Sequence, residues 1–338
     1  MFRDRDHARA VIQNIAIDDA DEEPISSEQV ELLIEALAPQ FWIARNDGSA
    51  IHRGMTRLGG GPDLPDGTVW PVRPAPPDAE RTAADLEQHF DWIAKHIVRD
   101  LPFEFLAQID LTEAATHPEH ASALPHDGRL LFFWDGVVGL IQSGPAACRV
   151  IWDRTPAKEL RRLAIPRALE ELDAAYDPEG RFKKPYVYPE RPMRLKPILT
   201  LPDRHTADMV TNGLLTALAD DMRHENSYAR LTAMDEGQFI TDGLRGARLH
   251  RVLGPPIPDQ DDPRFDAIVA DGFPPAPWKG EQLTDAARRA LDWQLLAQFN
   301  LGDLAQQDLT EGMVYFLIRK TDLAAHDFSR VHAVYQQT

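Results

Sequence analysis

A repeated stretch of seven residues constrains this chain more than any other feature of its sequence. FLAQIDL, residues Phe105–Leu111, returns near the other end as LLAQFNL, residues Leu295–Leu301. Three more landmarks recur in the same order: LGGGPDLP from Leu58 with LGPPIP from Leu253, GRLLFF from Gly128 with GMVYFL from Gly312, and RVIW from Arg149 with RVHAVY from Arg330. One such match could arise by chance, but four in order indicate an internal duplication.

The repeated stretch has the alternating pattern of a strand. Alternate side chains of a strand face opposite sides, so the odd-numbered residues from Phe105 to Leu111 are predicted to form one apolar face. The matching residues of the second copy are also apolar. The opposite face ends in polar residues, which are Gln108 and Asp110 in the first copy and Gln298 and Asn300 in the second.

Helical patterns fill the space between two sets of strands. Ser26 and Gln29 have capping-box spacing ahead of an apolar stripe, which predicts a helix start. Further helices are predicted over Asp78–Val98, over Pro156–Tyr176 with an interruption at Pro166, over Thr206–Glu225, and from a cap at Thr284. Because the strands cluster in two sets, the sequence predicts an internally duplicated α+β fold, with mainly antiparallel β-sheets from two pseudo-symmetric halves and with peripheral and inserted helices.

The landmarks divide the chain into four segments. Residues 1–50 are predicted to be an N-terminal helical segment, and 51–155 the first half of the duplication. Residues 156–248 are predicted to be a helical and proline-rich connecting segment, and 249–338 the second half. We expect the two halves to pack together as one domain.

Composition and charge argue against several classes of partner. The chain has 54 acidic and 36 basic residues and a formal net charge of −18. A nucleic-acid-binding protein usually needs a basic face, so no nucleic-acid partner is expected. The apolar runs are far shorter than the roughly 20 residues that span a bilayer, so no membrane partner is expected. A single cysteine and the lack of a recognisable secretory signal predict a cytoplasmic location.

Seven motifs follow one another along the chain: GGGPDLPDGTVWP, FLAQIDL, LPHDGRLLFFWD, HRVLGPPIPDQDD, WQLLAQFNL, EGMVYFLIRKTDL and DFSRV. Together they resemble the landmarks of the YwqG-like family, a bacterial family of uncharacterised function, over most of residues 52–338. The resemblance implies a duplicated α+β fold and a prokaryotic intracellular protein, but neither a reaction nor catalytic residues. The chain departs from the family at 78–98, which widens one spacing, and at 156–248, which holds no such motif.

The glycine-rich turn GGGPDLPDG lacks the pattern of a phosphate-binding loop. Pro62, Pro65 and Pro71 follow its glycines, so no helix can start promptly beside a phosphate. We interpret the turn as a rigid one that directs Trp70 into the core or into a cleft. The alternative is a loop that contacts a ligand.

Two clusters of potential metal ligands lack the pattern of a metal site. The aspartates within Asp259–Asp266 lack the spacing, the central glycine and the final glutamate of an EF-hand loop. His117 and His120 are separated by Pro118, and neither an HExxH pattern nor a set of cysteines accompanies them. We therefore predict no metal site and no cofactor, and interpret the histidine-rich stretch as a polar loop.

Catalytic nucleophiles are not recognisable in the sequence. Ser143, in QSGPAAC, does not fit the G-x-S-x-G pattern. Cys148 precedes a predicted strand, and no histidine or lysine near it in sequence would lower its pKa. No catalytic residue is predicted.

Two interpretations of the repeated glutamines stay open. A buried amide must pair both its donor and its acceptor, so Gln108 and Gln298 either hold the sheet together or orient a ligand. The nearby acid is present in one copy only, since Asn300 matches Asp110. The candidate residues for binding a ligand or a partner are Gln108, Asp110, Gln298, Asn300, Trp70 and Arg319.

The sequence favours a non-enzymatic binding or interaction protein, for example an adaptor or a toxin-neutralising protein. Its partner is then an unknown protein or small molecule, and a negative surface would steer basic partners towards it. The alternative is an enzyme that acts on a small substrate in the cleft between the two halves. That alternative requires Asp110, a histidine from 117 to 126, and Arg319 to converge in one pocket.

Overall fold

The computed structural model describes residues 1–13, 25–176, 186–221, 228, 231–232, 249–306 and 312–337 of the chain. Helices and strands are mixed along it, which confirms the predicted α+β class. Among the helices of these residues, none is both long enough and apolar enough to cross a membrane.

The strands carry the labels β1 to β14 in chain order. They are β1 Ala38–Arg45, β2 Arg57–Leu58, β3 Asp63–Pro65, β4 Val72–Arg73, β5 Leu101–Pro102, β6 Glu104–Asp110, β7 Arg129–Trp134, β8 Cys148–Asp153, β9 Leu160–Arg162, β10 Arg191–Thr200, β11 His250–Val252, β12 Trp293–Asn300, β13 Met313–Arg319 and β14 His332–Gln336.

The helices are short and lie between the strands. They are Arg5–Gln13, Ser27–Glu35, Ala79–Leu86, Asp91–Ile97, Leu111–Ala114, Pro118–Ala121, Arg167–Tyr176, Ala207–Thr211, Gly213–Asp221, Pro263–Ala270, Glu281–Ala290, Leu301–Ala305 and Lys320–Ala324, with single 3-10 turns at Pro145–Ala147, Ala157–Glu159 and Phe328–Arg330.

One large sheet organises the structure. It has ten strands in the order β14-β13-β12-β11-β1-β10-β2-β6-β7-β8, and each neighbouring pair is antiparallel. This confirms the predicted, mainly antiparallel sheet. We call β2, β6, β7 and β8 the first unit, and β11 to β14 the second unit. The pairs β3–β9 and β4–β5 form two small separate sheets.

The centre of the large sheet is the pairing of β1 with β10, which we call the seam. The two strands pair from Ala38 opposite Thr200 to Arg45 opposite Met193. β1 precedes the first unit in the chain, yet its other neighbour is β11 of the second unit. β10 precedes the second unit, yet its other neighbour is β2 of the first unit. Each unit is therefore extended by the strand that precedes the other unit.

The two edges of the large sheet approach each other, so the sheet is nearly closed into a barrel. Just before β8, Gly144 exchanges two backbone hydrogen bonds with Ala333 of β14, at 2.8 and 3.1 Å. The thiol of Cys148 donates to the carbonyl of Val331 at 3.4 Å. These contacts join the two edges of the sheet at one point, next to the start of β8.

Aromatic rings from both units meet on the inner face of the sheet. The ring of Phe132 lies 5.4 Å from that of Phe299 and 5.1 Å from that of Phe316, centroid to centroid. All three side chains are fully buried. Because burying one such ring stabilises a fold by roughly 1.5–3 kcal/mol, this cluster binds the two units into one core.

The outer face is covered separately in each unit. In the first unit, Trp70 packs edge-on against Phe133, in a cluster that includes Phe105. In the second unit, a cluster that includes Leu295 is covered from the helices Pro263–Ala270 and Glu281–Ala290.

Both repeated strands carry a bulge at the same point, which corrects the predicted alternation. The register shifts between Phe105 and Ala107 in β6, and between Leu295 and Ala297 in β12. As a result, the first residue of each pair packs in an outer cluster and the second in the central core. The prediction that Phe105 shares a face with the later odd-numbered residues is wrong, because the extra residue of a bulge reverses the facing of the strand.

The first helix predictions are largely confirmed. In the capping box, the hydroxyl of Ser26 accepts from the N–H of Gln29 at 3.2 Å, and the Gln29 side chain accepts from the N–H of Ser26 at 2.8 Å. The segment 78–98 forms two helices rather than one. Of the helix predicted over 206–225, residues 222–225 lie outside the described residues.

Two other helix starts are predicted wrongly. The helix assigned to Pro156–Tyr176 begins at Arg167, because Leu160–Arg162 pairs with β3 instead. Thr284 does not cap a helix but lies inside Glu281–Ala290. In the first case a long-range strand pairing overrides the local helical pattern.

The turn that follows β2 requires a glycine. Gly59 has a φ of +61°, and a Cβ at this position would lie 2.2 Å from the carbonyl oxygen of Pro189 and 2.6 Å from that of Tyr188. The N–H of Gly59 donates to the carbonyl of Leu106 at 2.9 Å. The turn is thus enclosed by backbone that cannot give way as a flexible side chain would.

Replacing Gly59 with alanine should destabilise the fold. We expect Gly59→Ala to lower the free energy of unfolding by about 3 kcal/mol or more, since left-handed strain and overpacking each contribute on the order of 1–3 kcal/mol. Gly67→Ala is the matched control, because Gly67 has a φ of +80° but nothing within 4 Å of the added Cβ. Its loss should be only about 1 kcal/mol. Urea unfolding measures both, and equal losses would contradict this account of the turn.

His332 opens the edge strand β14 in a buried, positively charged setting. Its ring lies 4.6 Å from the ring of Trp293, and its Nδ1 is buried without a hydrogen-bond partner. Burial, followed by the charges of Arg319 and Arg330, lowers the pKa of His332 to about 4; Asp322 opposes this shift. The imidazole is therefore neutral in the folded protein near neutral pH.

This shift predicts part of the acid sensitivity of the fold. The unfolded chain takes up a proton on His332 below about pH 6.5, whereas the folded chain does so only near pH 4. The stability that depends on neutral His332 is present above pH 6.5 and is lost as the pH falls through this window, by roughly 2–3 kcal/mol. We expect His332→Gln to remove this loss, measured by chemical unfolding at a series of pH values. The exposed His89→Gln is the control, and identical slopes in the wild type and in His332→Gln would contradict the assignment.

Candidate functional site

Gln108 is bonded by residues before, within and after β2. Its side-chain oxygen accepts from the N–H of Asp63 at 3.1 Å and from the guanidinium of Arg57 at 3.3 Å. Its amide nitrogen donates to the carbonyl of Met55 and to the carboxylate of Asp63, both at 2.9 Å. The residue is fully buried. Gln108 therefore holds β2 and its two flanking segments against β6.

Gln298 has the corresponding place in the second unit. Its side-chain oxygen accepts from the N–H of Ile257 at 3.1 Å, in the loop that follows β11. Strand registers place Arg57 opposite Gln108 and Arg251 opposite Gln298. Each glutamine is bonded to a loop of its own unit.

The two buried arginines also bind the exchanged strands. Arg57 lies 3.5 Å from the carboxylate of Glu190, which directly precedes β10. Arg251 donates to the side-chain oxygen of Gln40, in β1, at 2.6 Å. The sequence interpretation missed both arginines, although each stands just before a repeated landmark, in TRLGG and in HRVLG.

Asp110 and Asn300 each cap the helix that follows their strand. The Asp110 carboxylate accepts from the N–H of Thr112 at 2.9 Å, at the start of Leu111–Ala114. The Asn300 side chain accepts from the N–H of Asp303 at 2.8 Å. Aspartate and asparagine are equally good N-caps, so capping is satisfied by either residue at the end of these two strands.

The other sequence candidates lie apart from these caps. The indole N–H of Trp70 donates to the carbonyl of Phe103 at 2.8 Å. Arg319 is ion-paired with Asp271, and its guanidinium lies 5.3 Å from the ring centroid of Trp293. Trp70 therefore belongs to the cluster on the outer face of the first unit, and Arg319 lies against the cluster on the outer face of the second unit.

The side chains considered as potential metal ligands take part in helix capping, ion pairing and a short helix. Asp262 caps the helix Pro263–Ala270 and pairs with Arg264 at 2.7 Å. The stretch interpreted as a polar loop contains the one-turn helix Pro118–Ala121, because proline is tolerated at the first helical position. Among the residues that the structure describes, no group of three or more His, Cys, Asp or Glu could hold a metal ion.

A charged cluster lies at the end of the seam, and we call it the seam cluster. Asp303 is at its centre: its carboxylate lies 2.8 Å from Nε2 of His250, 2.8 Å from Arg191 and 3.7 Å from Arg45. Arg191 also donates to the backbone carbonyl of Asp303 at 2.6 Å. The cluster thus draws its side chains from β1, β10, β11 and the helix after β12.

Burial and the neighbouring groups together determine the protonation states of Asp303 and His250. Burial alone would raise the pKa of Asp303, but the hydrogen bond from His250 and the charge of Arg191 outweigh it and hold that pKa well below its usual range. Burial lowers the pKa of His250, and Asp303 only partly offsets this. The cluster therefore holds an ionised aspartate and a neutral histidine at neutral pH.

The hydrogen bonds of His250 identify its tautomer. The N–H of Asn300 donates to Nδ1 at 3.3 Å, so Nδ1 carries no proton. Nε2 then carries the proton and donates to Asp303. Both ring nitrogens are occupied by the protein, so His250 holds the end of β12 and the following helix in place.

We call the place where a repeated strand, its following helix and the seam meet a junction. In the junction of the first unit, an uncharged hydroxyl is hydrogen-bonded to an acidic side chain. Thr56 stands where His250 stands, and its hydroxyl accepts from the N–H of Asp110 at 3.1 Å and donates to Glu113 at 2.6 Å. Glu113 also accepts from the backbone N–H of Leu195, in β10, at 2.8 Å. Burial, partly offset by these hydrogen bonds, raises the pKa of Glu113. The Glu113 carboxylate thus links the helix Leu111–Ala114 to β10 of the seam by hydrogen bonds, and we call this link the strut.

The second junction differs from this strut in its net charge. Arg45 and Arg191 both belong to the seam cluster, against one ionised carboxylate on Asp303. The Arg45 side chain is 60% exposed, whereas that of Arg191 is 9% exposed. A buried cation with an exposed one beside it is an arrangement that can attract and hold an anionic group.

The comparisons with known proteins identify a family. Residues 56–336 match the family described as a domain of unknown function (DUF1963). Because this range covers most of the chain, the chain belongs to that family. A search of the curated proteins finds no match. The matched range contains Arg191, His250 and Asp303, whereas β1 with Arg45 precedes it.

Proposed function

We propose that this member of the DUF1963 family is a non-enzymatic binding protein, whose partner or ligand binds at the seam. The supporting observation is that most polar side chains at the two junctions are already hydrogen-bonded within the protein, whereas one arginine is exposed. The acid and base side chains are engaged in hydrogen bonds that hold strands and helices, whereas Arg45 is largely exposed and has one long ion pair, of 3.7 Å, with Asp303. An exposed arginine beside a fixed charged cluster suits recognition.

The state of the reactive side chains argues for binding rather than catalysis. A general base needs a nitrogen or oxygen within reach of a substrate proton. Both ring nitrogens of His250 are engaged, with Asn300 and with Asp303. Burial raises the pKa of the Cys148 thiol to about 12, which leaves it protonated and a poor nucleophile.

The proposal includes an internal duplication with exchanged strands. Its support is the set of matching contacts: a glutamine opposite a buried arginine, a bulge two residues before each glutamine, and a polar cap after each strand. The YwqG-like resemblance, a bacterial origin and a cytoplasmic location belong to the same proposal. Duplication would place two similar junctions at one seam. One junction could then keep a structural role while the other acquired a binding role.

The proposed partner is a protein or a small molecule, and an adaptor or toxin-neutralising role would fit. The net charge of −18 favours approach of basic proteins and repels nucleic acid. The seam cluster carries a local positive charge, opposite in sign to the negative charge of the whole protein. The overall negative charge would attract a basic partner, and the local positive charge would fix its orientation.

An enzyme remains the second candidate because of one contact. His250 and Asp303 are 2.8 Å apart, as a catalytic base and its orienting carboxylate would be. For catalysis, Nδ1 of His250 would have to leave the N–H of Asn300 and face a substrate. His250→Gln therefore separates the two candidates, since it would abolish catalysis but leave the guanidinium groups in place.

Affinity capture from the native cell, combined with variants, tests the proposal. We expect the wild-type chain to retain one protein or small molecule in near-stoichiometric amount. Arg45→Gln should lower that retention about ten-fold or more, because a charge-assisted contact contributes roughly 1.5–3 kcal/mol. Mass spectrometry of the eluted material measures both kinds of partner.

Arg154→Gln is the matched control for this capture. Its side chain is 63% exposed, against 60% for Arg45, and it is likewise paired with one aspartate. Retention by this control should equal that of the wild type. Unchanged retention by Arg45→Gln, or a wild-type chain that retains nothing, would contradict the proposal, while turnover of a retained small molecule that requires His250 would establish the enzyme instead.

A further inference from the structure

We infer that the seam cluster is a binding site for a single carboxylate group, carried by a small molecule or by the chain end of a partner. This inference rests on the proposed binding function and adds the chemistry of the ligand. It depends on the four side chains of the cluster: Arg45, Arg191, His250 and Asp303.

The charges of the cluster do not balance. Arg45 and Arg191 each carry one positive charge, Asp303 carries one negative charge, and the buried His250 is neutral. One positive charge is left over in a protein whose net charge is −18. A ligand with one negative charge would neutralise the cluster.

One donor of the buried arginine is not used by the fold. Arg191 is 7% exposed, and its buried Nε has no hydrogen-bond partner among the described residues. One of its Nη atoms is ion-paired with the Asp303 carboxylate at 2.8 Å, and the other donates to the Asp303 carbonyl. The planar edge of a guanidinium matches the two oxygens of a carboxylate, so a ligand could engage the unused donor.

The site has an entrance from solvent. Arg45 is 60% exposed and the Asp303 side chain is 20% exposed. Arg45 pairs with Met193 across the seam, and Arg191 is two residues from Met193, so both guanidiniums start from the same face of the sheet. An approaching anion would first meet the exposed guanidinium of Arg45 and then the buried one of Arg191.

Comparison with the first junction favours a carboxylate ligand. There, the longer Glu113 brings its own carboxylate to the seam and bonds the backbone of Leu195. In the second junction the shorter Asp303 has its place, and two arginines face it. Two arginines thus share one carboxylate in the second junction, and a carboxylate from outside would give the second arginine a partner of its own.

The same charges disfavour a phosphate dianion. Two negative charges beside Asp303 would leave the cluster with a net negative charge in a partly buried setting, which is costly. A nucleic-acid backbone would in addition meet the strongly acidic surface of the whole protein. The ligand class is therefore a monoanion with a planar carboxylate.

Isothermal titration calorimetry with defined anions tests the inference. The probes are the monoanions acetate and butyrate, inorganic phosphate, and a short peptide with either a free or an amidated C-terminus, all at constant ionic strength. We expect carboxylates to bind the wild type more tightly than phosphate does. Arg45→Gln should weaken carboxylate binding about five- to ten-fold, and Arg45→Lys should weaken it less, because lysine keeps the charge but loses the planar fork.

Asp303→Asn gives the opposite expectation, which a merely structural role would not produce. Removing the competing carboxylate should strengthen carboxylate binding about five- to ten-fold, provided that thermal unfolding shows the variant to be folded. Arg154→Gln should bind as the wild type does. If Asp303→Asn does not fold, the order wild type, Arg45→Lys, Arg45→Gln still decides the matter.

Three results of these titrations would overturn the inference. They are equal affinities of the wild type and Arg45→Gln, weaker binding by a folded Asp303→Asn, and phosphate binding at least as tight as carboxylate binding. A preference for the free over the amidated peptide assigns the carboxylate to a chain end, and binding of the small monoanions without the free peptide assigns it to a small molecule. Capture of a partner that depends on Arg45, without carboxylate binding, would overturn this inference and leave the proposed function standing.

Discussion

The pairing of β1 with β10 is the contact on which the rest of the structure depends. Each unit ends in a two- or three-residue strand, β2 or β11, which is too short to close a sheet by itself. The seam supplies each of them with a long neighbour, and that neighbour comes from the segment preceding the other unit. Because the exchange is reciprocal, neither unit can separate from the other without exposing a row of unpaired backbone groups.

Two buried arginines tie the seam to the rest of the sheet. Arg57 and Arg251 are fully buried, and a guanidinium in such a place destabilises the fold unless its hydrogen bonds are made. Arg57 donates to Gln108 and lies beside Glu190, which directly precedes β10. Arg251 stands opposite Gln298 in register and donates to Gln40 of β1. Loss of register at the seam would remove the contacts with Glu190 and Gln40, so the arginines favour a single pairing of β1 with β10.

Local patterns predicted the units well and the seam poorly. The capping box at Ser26 and the fully buried strands β7 and β13 follow from short-range periodicity, and the structure has them. β10 contains Pro192 and Pro197, which remove two donors and favour a connecting segment by the usual rules for strands. Likewise, Pro39 indicates a helix end rather than the start of a central strand. The seam joins residues more than 140 positions apart, and no local pattern carries that information.

The two junctions separate what the fold requires from what it leaves free. Both need a polar cap, and Asp110 and Asn300 both provide one, so the difference that the sequence brings forward does not alter the architecture. The residues beside them do differ in kind, since a threonine and a glutamate form a strut in one unit whereas His250 and Asp303 meet two arginines in the other. The Glu113 carboxylate links its helix to the seam by hydrogen bonds with Thr56 and with the backbone of Leu195, and no ion pair of Glu113 is present among the described residues. The proposed ligand would explain why the second junction instead buries an arginine whose Nε has no partner, because the first junction is held without such a group.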